Sequence, residues 1–358
     1  MRTIVLRCDG GTNLGMGHVM RSLALAAELR DAHGCAVTFA MRDPGSAGAA
    51  AVHADGFDID AVPDAPDAGL ARLLSSRRAS VVVIDVRDEL SRASLDTIRR
   101  TGVKVVTIDD ASERRLASDL ACFPPVPQVQ ELDWAGFTGT RYAGWEWVIL
   151  RREFESGRSG GSGGRDGEGE SGGRDGEGGS RGVSPGIDVL VTMGGGDSAG
   201  MTEFAIRALA LLPMPLAVQV VVGPAFPRTV ELIDAVARSK HHIQIAVAPA
   251  SMAALMRTSR IAVASFGMSA YELAACGVPA VHLCLTEDHA RSSSAFEAEG
   301  IALTAGVFGR VLPAQVADAV AHLMGNAGRR GEMGARARRL VDGRGARRVA
   351  GEIVRLLP

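Results

Sequence analysis

The stretch Asp9-Gly10-Gly11-Thr12-Asn13-Leu14-Gly15-Met16-Gly17-His18-Val19-Met20-Arg21 gathers glycines around a single imidazole. Glycine lets a backbone pass close to a ligand. Histidine titrates near neutrality, so His18 can take a proton from water. An apolar run, Ile4-Val5-Leu6, precedes the stretch, and a helical pattern, Leu23-Ala24-Leu25-Ala26-Ala27-Glu28-Leu29, follows it. The segment therefore reads as strand, glycine-rich turn and helix, with His18 at the helix start. Open α/β sheets hold ligands at such turns, beyond the carboxyl ends of their strands.

Two later turns have the same design. Gly194-Gly195-Gly196-Asp197-Ser198 follows the apolar run Ile187-Asp188-Val189-Leu190-Val191-Thr192-Met193. Small residues there can present N–H groups to a phosphate. Ser265-Phe266-Gly267-Met268-Ser269-Ala270-Tyr271-Glu272 ends another run and opens another helix. Ser269 can hydrogen-bond phosphate oxygens, and Glu272, about one turn on, can accept from the two hydroxyls of a ribose. Each turn also has a plainer reading: a tight strand-to-helix connection, with Glu272 as an ordinary helix-start carboxylate. The first turn is not the dinucleotide fingerprint, because Met20 stands where its third glycine belongs, and no Gly-Lys-Ser/Thr follows it. Hydride transfer and ATP hydrolysis lose support accordingly.

Positioning these turns requires a repeating scaffold. Ala36–Ala40, Ser80–Asp85 and Lys104–Asp110 read as further strands, with helices between them. Unbroken β-branched runs suit parallel strands buried on both faces. The pattern restarts at Ile187 and continues through Leu216–Val222, Ile243–Ala248, Ile261–Ala264 and Ala280–Leu285, then helices from Pro313 to Leu357. The expected fold class is α/β, with two Rossmann-like domains facing a cleft: residues 1–155 and 187–358. Residues 156–186 separate them, and contain the near-repeats SGGRDGEGE (162–170) and SGGRDGEGG (171–179). With almost no apolar side chains this segment is expected to be a disordered tether.

Composition narrows the partners. A formal net charge of −2 and 4% aromatic residues give no case for nucleic acid or an anionic membrane. Cys8, Cys35, Cys122, Cys276 and Cys284 form no C-x-x-C pair and are expected as buried free thiols in a reducing compartment. No apolar run reaches spanning length, and the first residues lack the apolar region of a signal peptide. A cytoplasmic protein is expected. No His or Cys positions have metal-ligand spacing, so no metal is expected. Nothing in the sequence fixes an oligomeric state.

Together the three turns resemble the glycosyltransferase-B (GT-B) architecture. More narrowly, Arg7-Cys8-Asp9 through Arg21 resembles the opening of the PseG/SpsG-like UDP-sugar hydrolases of pseudaminic acid synthesis. Ile108-Asp109-Asp110, Leu150-Arg151-Arg152-Glu153-Phe154, Val191 to Gly195, Gly267 to Glu272 and Gly277-Val278-Pro279 extend the likeness outside the tether. The resemblance implies that His18 activates water for attack on the anomeric carbon of a UDP-linked 2,4-diacetamido-2,4,6-trideoxy sugar, with inversion and release of UDP. It implies that the C-terminal domain binds UDP, with Gly267 and Ser269 at the diphosphate, Glu272 at the ribose, and Gly194 and Gly195 in the second glycine turn. Gly15, Gly17 and Arg21 complete the substrate-binding set. UDP is already a good leaving group, so no metal or other cofactor is implied. The chain departs from the family pattern at Val86-Arg87, at Cys122-Phe123-Pro124-Pro125 and at Asp288-His289, where sugar and phosphate contacts would fall. A glycosyltransferase, a sugar epimerase and a non-catalytic nucleotide-sugar binder fit the same scaffold.

Overall fold

The unbroken apolar runs become the central strands of two parallel sheets. The computed structural model describes residues 2–11, 15–62, 66–87, 90–156, 186–197, 199–223, 226 and 230–357. The proposed tether lies outside the described residues, apart from its end residues Ser156 and Gly186. Thr12, Asn13, Leu14 and Ser198, named in the turns above, lie outside them too.

The first sheet contains β1 (Thr3–Cys8), β2 (Ala36–Met41), β3 (Asp58–Ala61), β4 (Val81–Asp85), β5 (Lys104–Ile108), β6 (Leu120–Phe123) and β7 (Thr140–Ala143). Their spatial order is β3-β2-β1-β4-β5-β6-β7, and every pairing is parallel. The second sheet contains β8 (Ile187–Thr192), β9 (Ala217–Val222), β10 (His242–Val247), β11 (Ser259–Ser265), β12 (Ala280–Cys284) and β13 (Ala302–Val307). Its order is β10-β9-β8-β11-β12-β13, again all parallel. Both sheets therefore reverse direction of growth at a central pair, β1/β4 in one and β8/β11 in the other. Such a switch point leaves a crevice at the carboxyl ends of the strands.

Four helices follow the strands that frame those crevices: α1 (Gly17–Asp31), α2 (Met201–Leu209), α3 (Met268–Cys276) and α4 (Glu287–Ala298); a fifth, α5 (Gly345–Arg355), packs against α1. The first three begin at the three glycine turns, after β1, β8 and β11 respectively. α4 follows β12. The two crevices open onto one cleft of about 1420 Å³, lined from both halves.

Two features depart from the sequence reading. β3, β6, β7 and β13 were not anticipated. β3 (Asp-Ile-Asp-Ala) and β7 (Thr-Arg-Tyr-Ala) lie at the edge of the sheet and lack the unbroken apolar run that marks a doubly buried strand. β6 is buried but short, and Pro124-Pro125 follow it. The second departure is α5, which the sequence division at residue 187 grouped with the second half. Its Ala346, Val349, Ala350 and Ile353 join the core built around β1 and α1, including Leu25 and Leu29. In return Val148, Leu150 and Phe154, from the end of the first half, pack into the core of the second. The chain thus crosses between halves at both ends of the second one. Buried apolar contact, not sequence proximity, decides membership. All five cysteines are free and buried. No helix among the described residues is long and apolar enough to cross a membrane.

Candidate active site

On the first-half wall of the cleft, four charged or titratable side chains converge at the β1/β4 switch point. α1 starts at Gly17 with no side-chain cap, which puts His18 in its first turn and Arg21 one turn further along the same face. β4 is buried at every residue and ends in Asp85, which pairs in register with Cys8 at the end of β1. This pairing delivers the carboxylate to the start of α1. Asp85 Oδ1 lies 2.6 Å from His18 Nδ1. Arg21 grips the same carboxylate with two bonds, Nε to Oδ2 at 2.6 Å and Nη2 to Oδ1 at 2.5 Å. Its third nitrogen, Nη1, donates to Asp109 Oδ2 at 3.1 Å.

Asp85 is only 2% exposed. Burial alone raises its carboxyl, but the charge and hydrogen bonds of Arg21, with the His18 contact, outweigh burial and hold the group at about 2. An ionised carboxylate only accepts hydrogen bonds, so the His18 nitrogen facing it carries the hydrogen. Arg21 Nη2 also lies 3.1 Å from that nitrogen. As both are then donors, its hydrogen serves Asp85. In the neutral ring this leaves Nε2 as the lone-pair nitrogen, and His18 lines the cleft with 21% of its side chain exposed. A carboxylate that fixes tautomer and orientation behind an imidazole is the arrangement of a general base. Asp109 adds local strain: its φ of +53° is left-handed, which few non-glycine residues adopt.

The second-half wall is built differently. α3 follows Gly267 at its N-cap, with no side-chain cap and no acidic residue in its first turn. Gly267 and Ser269 line the cleft, and the Ser269 hydroxyl makes no hydrogen bond among the described residues. Free N–H groups, a helix dipole and a free hydroxyl together favour an anion. One turn on, Glu272 lines the cleft and accepts from Arg151 Nη2 at 3.3 Å. Burial pushes its carboxyl up and Arg151 pulls it back. The turn before α2 also reaches the cleft through Gly194 and Gly195, and Gly194 needs its φ of +82°. A Cβ on the facing Gly223 would come within 2.0 Å of the Gly195 carbonyl oxygen, so the two turns touch. Here, however, the helix start is occupied. Asp197 accepts from the N–H groups of Met201 at 2.9 Å and Thr202 at 2.7 Å.

All the residues singled out from sequence line this cleft: Gly15, Gly17, His18 and Arg21 on one wall, and Gly194, Gly195, Gly267, Ser269 and Glu272 on the other. The walls nearly meet, since a Cβ on Gly17 would sit 3.4 Å from Met268 Cγ. Arg21 differs from expectation in its partners: its guanidinium is committed to Asp85 and Asp109. Sequence reasoning missed Asp85, Asp109 and Arg151 as members of the site. The signal for the first two was a carboxylate closing each of two buried runs, Val81–Asp85 and Lys104–Asp109. The family departures also face the cleft, at Val86, Arg87, Cys122, Asp288 and His289. There Gln128 Nε2 bridges the halves, donating to Asp288 Oδ1 and Ser292 Oγ, both at 2.8 Å.

No family model matches the chain. The spore coat polysaccharide biosynthesis protein SpsG of Bacillus subtilis (strain 168) is 22% identical over 346 residues, covering 95% of this chain and 94% of that protein. Among solved structures, MurG of Acinetobacter baumannii superimposes with a TM-score of 0.69 at 16% identity, covering 99% of this chain and all of that one. The chain is similar to SpsG in sequence and has the GT-B fold. The UDP-GlcNAc 2-epimerase of Neisseria meningitidis, solved bound to UDP-GlcNAc, shares the fold with a TM-score of 0.61 at 10% identity, over 99% of this chain and all of that one. At such identities the solved structures establish the fold alone.

Proposed function

We propose that this chain is a nucleotide-sugar hydrolase of polysaccharide biosynthesis. It takes a UDP-linked diacetamido-trideoxy sugar of the pseudaminic-acid type and releases UDP. The observation that carries this reading is the 2.6 Å contact between His18 Nδ1 and Asp85, which leaves Nε2 as the base beside the cleft. In the reaction, a water oxygen bonds to the anomeric carbon while His18 Nε2 takes its proton. The bond from that carbon to the phosphate oxygen breaks, its electron pair leaves with UDP, and configuration inverts. The uncapped start of α3, with Gly267 and Ser269, holds the diphosphate, and Glu272 holds the ribose. Gly15 and Gly17 let the substrate approach closely. Gly194 and Gly195 line the nucleotide side. Arg21 acts through Asp85. The likeness to SpsG supports a role in polysaccharide assembly. The free, buried cysteines fit a reducing cytoplasm. We take residues 1–155 and 187–358 as the two working domains, with α5 as the part of the second that braces the first.

The test is mass spectrometry of products from a panel of UDP- and CMP-linked deoxyamino sugars in 18O-labelled water. Hydrolysis at the anomeric carbon puts the label in the sugar and none in UDP. Label in UDP, an epimerised nucleotide sugar, or release that depends on an added acceptor would each overturn the reading.

A further inference from the structure

Tyr271 stands beside the expected ribose contact, yet neither the glycine turns nor the His18 cluster accounts for it. It is 5% exposed and lines the cleft. Its ring is caged on α3 by Phe296 at 5.0 Å, Phe266 at 6.2 Å and Trp145 at 6.3 Å between centroids. That cage explains a large aromatic residue, but phenylalanine would fill it equally well. The hydroxyl needs another reason. Among the described residues it makes no hydrogen bond, and it is not one of the sealed, unpartnered polar atoms. It therefore opens to the cleft. The charges that act on it are Asp109 and Arg21, which belong to the opposite wall. So the ring is anchored in the nucleotide half and the side chain lines the cleft within electrostatic reach of the half that holds the base. Burial, helped by Asp109 and opposed by Arg21, raises the phenol well above its ordinary range. Its proton stays on, and the group can donate but not act as a base.

The geometry points to Tyr271 as a catalytic hydrogen-bond donor that spans the two walls and contacts the phosphate oxygen departing from the anomeric carbon. This assignment rests on the hydrolase reading above. As the carbon–oxygen bond breaks, its electron pair builds charge on that oxygen, and the Tyr271 O–H hydrogen bond strengthens without transferring its proton. The water proton goes to His18, so the step balances with UDP as the leaving anion. A fixed donor aimed at developing charge stabilises the transition state more than the ground state.

Tyr271→Phe removes the hydroxyl and keeps the caged ring. The expected result is a kcat about 10- to 100-fold lower with KM, UDP affinity by calorimetry and melting temperature unchanged. A kcat within about twofold of the parent chain overturns the assignment. So does a fall in UDP affinity that matches the fall in kcat/KM with kcat unchanged, which would make the hydroxyl a ground-state contact. The parent chain is the control: if it turns over no sugar of the panel, the hydrolase reading itself fails. An active parent with an equally active Tyr271→Phe variant overturns the tyrosine alone.

Discussion

In the first half, the helix after the innermost strand β1 begins uncapped, and its first two turns carry His18 and Arg21 to the carboxylate at the end of β4. In the second half, the helix after the corresponding strand β8 has its N–H groups taken by Asp197, and the uncapped helix follows β11 instead. The strand orders match, but the working turn has moved across the switch point. The difference shows what a glycine turn leaves undecided. Glycines give close approach. Whether the following helix receives a ligand anion or its own aspartate depends on one side chain at its start. The first half therefore presents a cluster of fixed charges at its switch point, and the second presents an uncapped helix start.

The comparison can be broken most severely at Asp85. Asp85→Asn leaves Arg21 with Asp109 as its only carboxylate partner among the described residues and offers the imidazole an amide in either orientation, so the tautomer is no longer set. We expect kcat for UDP release to fall about 1000-fold while UDP affinity stays within about twofold. An Asn variant with near-parental kcat would show that the first-half cluster is merely structural. Next, Ser269→Asp makes the α3 turn imitate the α2 turn by giving its N–H groups a resident carboxylate. UDP affinity should drop about 100-fold through charge repulsion at the diphosphate, without loss of fold. Unchanged calorimetric affinity would place the diphosphate elsewhere.

Acid should separate the halves as well. His282 in β12 is fully buried, and burial lowers its imidazole to about 3 from an ordinary 6.5. The unfolded chain takes that proton first, so stability is lost as pH falls from 6.5 toward 3. For Asp85 the contribution is complete above 3.8 and is lost as pH falls toward about 2. The second half should loosen at higher pH than the first. His282→Leu should flatten the fall of the urea midpoint over the upper window, and an unaltered slope would remove His282 from the explanation. The smallest effect belongs to Asp197→Ala, which strips a cap from α2. It should cost about 1 kcal/mol of stability and leave UDP affinity unchanged. A marked loss of affinity would mean that the α2 turn binds the nucleotide directly.

Much of this was legible in the chain. Unbroken runs such as Val81–Asp85 and Ile187–Thr192 announce doubly buried parallel strands, and the glycines at their ends announce turns. Three of those turns, far apart in sequence, do converge on one cleft. Asp85 was legible as a residue but not as a partner, because only the β1–β4 register brings it to His18. Asp197 was read as part of a phosphate turn, although an aspartate just before a helix is also its cap. Arg151 reaches Glu272 from a segment 121 residues away, with no local signal. The return of α5 to the first half was hidden for the same reason: its apolar stripe shows that it packs, not against which core.

The account stands or falls on one imidazole as the base. His18→Asn removes the lone-pair nitrogen and keeps a small polar side chain at the start of α1. UDP release from the best sugar of the panel should fall about 100- to 10,000-fold, with calorimetric UDP affinity within about twofold of the parent. Release at the parental rate would contradict the claim that His18 draws the proton from water.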